Sequence, residues 1–200
     1  MKDRAATEAR ILAAARTVFA RRGYDAAGLR EIAEVAQANL ALISRYFGGK
    51  EGLFVAVTDE FVAARREGEL PYPPQESLAD EIYNYLHAKL REDLENEEII
   101  RLIISRSAID AGFRKRGSEH LDGKADANFR ERVTRLQDRG QVASDMDINL
   151  IFAGVMHISF SINFFGVMIG ARPEAEIDAL FKGFATALSK GLPLPDVPDG

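Results

Sequence analysis

Between Asn39 and Lys50 the chain reads Asn-Leu-Ala-Leu-Ile-Ser-Arg-Tyr-Phe-Gly-Gly-Lys. These side chains can grip a polyanion and read what is attached to it. Arg45 offers a planar fork of donors that fits a guanine edge, and Tyr46 and Lys50 offer a phenol and an ammonium to phosphate. Asn39 can cap a helix or reach a base. At about 100° per residue, Leu40, Ile43 and Phe47 share one helix face and are expected to bury. Ala41, Leu42 and Arg45 point the other way, with Ser44 and Tyr46 flanking. An outward face this short, carrying one guanidinium, suits the major groove of DNA. With Arg30 from the preceding helix, the DNA-contacting set is Arg30, Asn39, Leu40, Ala41, Leu42, Ser44, Arg45, Tyr46 and Lys50.

Such a face needs a scaffold. A first helix is expected from about Thr7, as N-cap, with Ile11, Leu12, Ala15, Val18 and Phe19 on one stripe and Gly23 as its stop. Short helices over about 29–36 and 40–47 then form a helix-turn-helix. A fourth runs from Lys50 to about Glu67, and Pro71-Tyr72-Pro73-Pro74 breaks the pattern. Beyond it, helices are expected over about 77–94, from a cap at Asn96 to near Gly112, and over 125–139, 147–169 and 173–190. Residues 113–123 are expected mostly as loop, and 193–200 as a flexible tail. Alternating strand patterns are missing. The fold class is therefore all-α: a three-helix helix-turn-helix domain over 1–50 and a larger helical domain over 51–192, whose expected roles in ligand sensing and dimerisation rest on the resemblance and residues given below.

Composition agrees. The net charge is −5, yet residues 1–50 carry nine basic groups against five acidic ones, which leaves −9 on the rest. A basic end on an acidic body suits a protein that meets DNA at one end only. With no cysteine, thiolate catalysis and thiolate metal sites are excluded. The three histidines, His87, His120 and His157, have no metal-motif spacing, and no metal or cofactor is expected. Gly48-Gly49-Lys50-Glu51 lacks the upstream glycine and the hydroxyl residue of a phosphate loop. Ile148 to Ala171 is uncharged and long enough to span a bilayer. However, Asn149, His157, Ser159, Ser161 and Asn163 interrupt it, so a buried soluble helix and a cytoplasmic protein without a membrane partner are expected.

Residues 7–54 resemble the DNA-binding domain of the TetR family. The likeness rests on Thr7-Glu8-Ala9-Arg10-Ile11-Leu12, Phe19-Ala20-Arg21-Arg22-Gly23-Tyr24, Ile32-Ala33-Glu34-Val35-Ala36 and above all Ile43-Ser44-Arg45-Tyr46-Phe47-Gly48-Gly49-Lys50-Glu51-Gly52-Leu53. The resemblance implies phosphate contacts for Tyr46 and Lys50 and a non-enzymatic transcriptional regulator, most simply a repressor that a small-molecule inducer releases from a palindromic operator. Ala27-Gly28 replaces the family's usual hydroxyl cap, Gln37 stands where the turn commonly has glycine, and Leu42 and Ser44 replace a small hydroxyl residue and an aromatic. These departures blur the operator sequence. Leu42 can meet a thymine methyl or shield the helix base.

In that family the last two long helices form a four-helix homodimer interface. This implies interface roles for Ile151, Val155, Ile158, Ile162, Phe165, Ile177, Leu180, Phe181, Phe184 and Leu188. Polar groups in an apolar wall suggest an effector cavity around Tyr83, His87, Arg106, Phe113, His157, Phe160, Asn163 and Phe164, suited to an apolar or aromatic molecule. The rival functions are a helical adaptor without DNA binding and a small-molecule-binding enzyme. The basic N-terminal segment speaks against the first, and the lack of any catalytic spacing against the second.

Overall fold

The computed structural model describes residues 2–67, 69–120 and 127–190. Among them every regular element is helical. Ten helices follow in chain order: α1 (Lys2–Ala26), α2 (Leu29–Val35), α3 (Leu40–Phe47), α4 (Lys50–Glu67), α5 (Leu78–Glu95), α6 (Glu97–Ile109), α7 (Ala111–His120), α8 (Ala127–Asp138), α9 (Ile148–Phe160) and α10 (Glu174–Ser189). The stretch Ser161–Ile169 continues α9 with π-helical winding. The expected tail over 193–200 lies outside the described residues.

The helices form two compact units, and the chain crosses between them more than once. Residues 1–68 and 96–125 make the first; 69–95 and 126–200 make the second. Helices α6 and α7 thus pack with α1 and α4 in the first unit, although chain order places them after α5. The cause is apolar: Ile99 and Phe113 join the core of Ile11, Val18, Phe19, Ile32, Ile43, Leu53, Phe54 and Phe61.

Three expectations are revised in this unit. Helix α1 starts at Lys2, so Thr7 is buried inside it and is not its N-cap. The extra turn is built of good helix formers and carries an Arg4–Glu8 pair one turn apart. Gly23 does break the helical geometry, at φ 76° and ψ 167°. Residues 111–120 are helical instead of loop, because Asp110 ends α6 and caps α7, its Oδ1 accepting from the Phe113 N–H at 2.9 Å. The Asn96 side chain makes no cap; it accepts from Arg16.

In the second unit, α5 lies against α8, α9 and α10. Its stripe of Leu78, Ile82, Tyr85 and Leu86 meets Phe129, Val133, Leu136, Phe152, Val155, Ile177 and Phe181 in the core. Val155, Ile177 and Phe181, expected at a subunit interface, are taken up by the protomer's own core; Ile151 and Ile162 are nearly so. The large apolar side chains that remain exposed on α9, its extension and α10 are Leu150, Phe160, Phe165, Ile169 and Phe184, of which Phe165, at 60% exposure, is the most open. Ile158, Leu180 and Leu188 are half-buried. By length and composition Ile148–Ile169 would pass as a membrane span. In the fold its Ser159 and Asn163 are buried and hydrogen-bonded to each other within the second unit.

Candidate nucleic-acid interface

The turn between α2 and α3 sets the geometry. Ala38 N–H reaches back to the Ala33 carbonyl and Gln37 N–H to that of Glu34, both near 3.0 Å, the paired bonds of a Schellman motif. The motif requires a left-handed residue, and Gln37 takes φ 49° to supply it. Asn39 then starts α3 by accepting from Ala41 N–H at 2.8 Å, the cap that its position at the helix start allows. At the far end Gly48 closes α3 in the left-handed region and Lys50 opens α4.

Ile43 is fully buried and fixes the rotation of α3. Leu42, Tyr46 and Phe47 pack beside it, partly buried, so the inward face is centred between Ile43 and Tyr46. Leu40 therefore falls outside that arc and is exposed, where burial was expected; Leu42 is half-buried, where an outward position was expected. Asn39, Leu40, Ala41, Ser44 and Arg45 make the solvent face of α3, and Arg30 is exposed on α2. The Lys50 ammonium donates to the Asp25 carbonyl at 2.9 Å and sits 4.8 Å from the Tyr24 ring centre. In the first turn of α2, Glu31 receives Arg21 and Arg22. Sequence reasoning missed Asp25 and Arg4. The Arg4 guanidinium lies 5.0 Å from the ring centre of Tyr46.

The residues singled out for an effector wall do not form one group. Arg106 and Phe113 belong to the first unit: Arg106 lies 4.3 Å from the Tyr24 ring centre, held by Asp110, and Phe113 stacks on Phe54. Burial pushes the Tyr24 phenol above its ordinary pKa, with Arg106 opposing. His157 and Phe160 are exposed, so neither lines an interior wall; Phe164 is half-buried and stacks on Phe160. Two polar clusters remain in the second unit. In one, Tyr83 donates to Asp178, with His87 Nε2 at 3.3 Å from the same carboxylate and the His87 ring edge-on to Phe181. The hydroxyl's hydrogen bond holds the Asp178 carboxyl below the usual range, and the same bond raises the Tyr83 phenol. In the other, Asn163, 1% exposed, donates through Nδ2 to Asp93 at 2.7 Å and to Ser159 at 3.3 Å. Its Oδ1 is buried with no hydrogen-bond partner among the described residues.

A supporting helix, two short helices joined by a tight turn and an exposed second helix define a helix-turn-helix protein of the DNA-binding class. Residues 11–57 match the family described as bacterial regulatory proteins, tetR family. The chain is 30% identical over 142 residues to the HTH-type transcriptional repressor AcnR of Corynebacterium glutamicum, covering 70% of this chain and 71% of that protein. The AcnR of Corynebacterium efficiens matches with the same identity and coverage. Among solved structures, a TetR-family transcriptional regulator from Mesorhizobium loti superposes with a TM-score of 0.66 at 21% identity, over 92% of this chain and 95% of the other. Salmonella enterica GusR gives 0.68 at 18%, with the same coverage; both likenesses concern the fold. The chain belongs to the TetR family and is a DNA-binding transcriptional regulator, not an enzyme.

Proposed function

We propose that this protein is a cytoplasmic repressor that holds a palindromic operator as a homodimer and lets go when a small molecule binds its second unit. One observation carries the DNA part. Burial of Ile43 turns Ala41, Ser44 and Arg45 to solvent on one short helix face, a surface that fits a major groove. In this reading Arg45 reads a base edge, Tyr46 and Lys50 take phosphates, and Arg30, Asn39, Leu40, Ala41 and Ser44 lie along the groove. Leu42, half-buried, supports the helix more than it reads. The working DNA-binding segment remains 1–50, supported from within its unit by α4, α6 and α7.

Two further observations support the rest of the reading. The exposed Phe160, Phe165, Ile169 and Phe184 on the last two helical segments are the kind of apolar surface a second copy covers. With no hydrogen-bond partner among the described residues, the buried Asn163 Oδ1 costs free energy that a ligand donor would offset. Ligand release of DNA then follows from favouring a conformation in which the recognition helices no longer match groove spacing.

The test is selection of duplexes from a random-sequence pool by the full-length protein, followed by footprinting. Two protected half-sites about one helical turn apart are expected. A protein that retains no duplex at low salt overturns the reading. Metabolites that raise its thermal stability are then added to the complex, and at least one must dissociate it.

A further inference from the structure

We propose that Arg4 is a further DNA contact, positioned by the Tyr46 ring and masked by Glu8 until a phosphate displaces the carboxylate. The inference rests on the reading of α3 as the DNA-facing helix with Tyr46 beside the phosphate track. Three observations lead to it. Helix α1 extends to Lys2, so Arg4 is held on a formed helical turn. Its guanidinium then lies 5.0 Å from the ring centre of Tyr46, a half-buried residue of α3 whose ring keeps part of its surface open to solvent. Its side chain is 65% exposed, and its Nε donates to Glu8 Oε1 at 2.8 Å.

As a fold-stabilising pair this arrangement is worth little, because an exposed ion pair one helical turn apart loses in hydration most of what it gains. As a binding device it has more to offer. A guanidinium can lay its face on a ring and still present its terminal amino groups to a phosphate in a bidentate fork. The ring restricts an otherwise loose side chain, so less conformational freedom is lost when DNA arrives. Glu8 occupies Nε with the kind of charge a phosphate would bring, and close to DNA its own carboxylate is repelled. Arg4 and Glu8 thus act in opposite directions: the cation attracts the backbone and the acid competes with it. An arginine is cationic at any pH at which DNA binding is measured, and the hydrogen bond and charge of Glu8 shift the Arg4 guanidinium further upward.

The experiment uses the full-length protein, a duplex enriched from a random-sequence pool, a scrambled duplex of equal length, and a salt series. Arg4→Ala is expected to weaken binding to both duplexes by about threefold to tenfold and to lower the salt slope by about one per half-site. Glu8→Gln is expected to tighten binding by about twofold to fivefold, since it removes the competitor and leaves the cation in place. In a Tyr46→Leu background the Arg4→Ala effect should shrink, because the unrestrained guanidinium gains less; Tyr46→Phe should preserve it. Lys50→Ala serves as the reference for a phosphate contact. If Lys50→Ala lowers the salt slope and Arg4→Ala does not, the Arg4 proposal fails while the DNA-facing reading of α3 stands. A Glu8→Gln variant that binds no tighter overturns the masking role. If Arg4→Ala weakens binding with an unchanged salt slope, Arg4 is structural and the proposal is wrong.

Discussion

The Phe47 carbonyl points at the Cα of Gly52, and a Cβ at that position would fall well inside van der Waals contact with the carbonyl oxygen. The end of α3 and the start of α4 are therefore packed backbone to backbone, and only glycine permits the approach. Because Lys50 stands between these two residues, the same joint fixes where its ammonium starts from. Gly52→Ala is expected to destabilise the protein by about 1–3 kcal/mol, since the neighbour is backbone and cannot step aside. Urea denaturation measures this. Gly52→Ala should also weaken DNA binding, whereas Gly183→Ala, with open space around its added Cβ inside α10, should stabilise the protein by about 0.5–1 kcal/mol and leave DNA binding unchanged. Equal stability of wild type and Gly52→Ala would refute the close approach.

The left-handed Gln37 carries the opposite expectation. Its φ of 49° strains a residue with a Cβ, and glycine relieves it. Gln37→Gly should stabilise the protein by about 0.5–1 kcal/mol, the gain being reduced by the greater freedom of glycine in the unfolded chain. Thermal denaturation decides the sign, and a lowered Tm would show that the Gln37 side chain contributes something the backbone geometry does not reveal.

On DNA, Arg45 and Lys50 should separate cleanly. Arg45→Ala is expected to cost about 1–3 kcal/mol on the selected site and to relax preference at one position per half-site. Lys50→Ala should weaken all duplexes alike, and about one unit of salt slope per half-site should disappear with it. Lys50 has to leave the Asp25 carbonyl to do this, so its effect is a net of two contacts. If Arg45→Ala weakens selected and scrambled duplexes equally, Arg45 is a backbone contact and the base reading has to be sought elsewhere on α3.

Phe165→Glu should yield a folded protein of half the assembly mass, because the side chain is exposed and its loss leaves no internal void. Val155→Glu, by contrast, should unfold the protomer. Light scattering together with circular dichroism distinguishes the two. Retention of a dimer by Phe165→Glu places the interface elsewhere.

The acid and alkaline limits of stability should both involve Tyr83 and Asp178. Folding lowers the Asp178 pKa, first through the Tyr83 hydroxyl and then through His87 and Lys182, with burial opposing. That stability is present above the ordinary carboxylate pKa and is lost as pH falls through the lowered value. Folding raises the Tyr83 pKa, so its share is present below the ordinary phenol pKa and is lost as pH rises through the raised value. Tyr83→Phe keeps the ring against His87, whose centroid is 4.6 Å away, and should flatten both limbs. Denaturation midpoints over a pH series that match wild type would exclude this pair as the source.

Much of the first unit was legible because its signals are local. The apolar stripe of α1, the stop at Gly23 and the short α2 and α3 all follow from spacing and from residues that punctuate a helix. The face of α3 was legible only to within part of a turn. Eight residues do not fix the rotation of a helix; the partners of Ile43 and Tyr46 do, and these come from distant parts of the chain. Likewise, Val155, Ile177 and Phe181 have the same pattern whether a helix packs on its own protomer or on a second one, so periodicity could not assign them. The π-helical winding over 161–169 and the Asp110 cap depend on tertiary packing and on a single side chain, respectively, and neither leaves a periodic trace. Arg4 escaped notice because nothing in the sequence foretells that the first turn of α1 lies beside Tyr46.

The interleaving of the two units has a consequence for how the molecule is made. Phe54 receives Phe113 across a long interval of chain, and between them the whole of α5 belongs to the other unit. During synthesis the helix-turn-helix emerges early, but it cannot complete its core until α6 and α7 have left the ribosome. A nascent chain stalled before that point carries the DNA-reading residues without the packing that orients them. Competence to bind is thereby tied to translation past α7, and fragments cut short after α4 would be poor competitors for the operator.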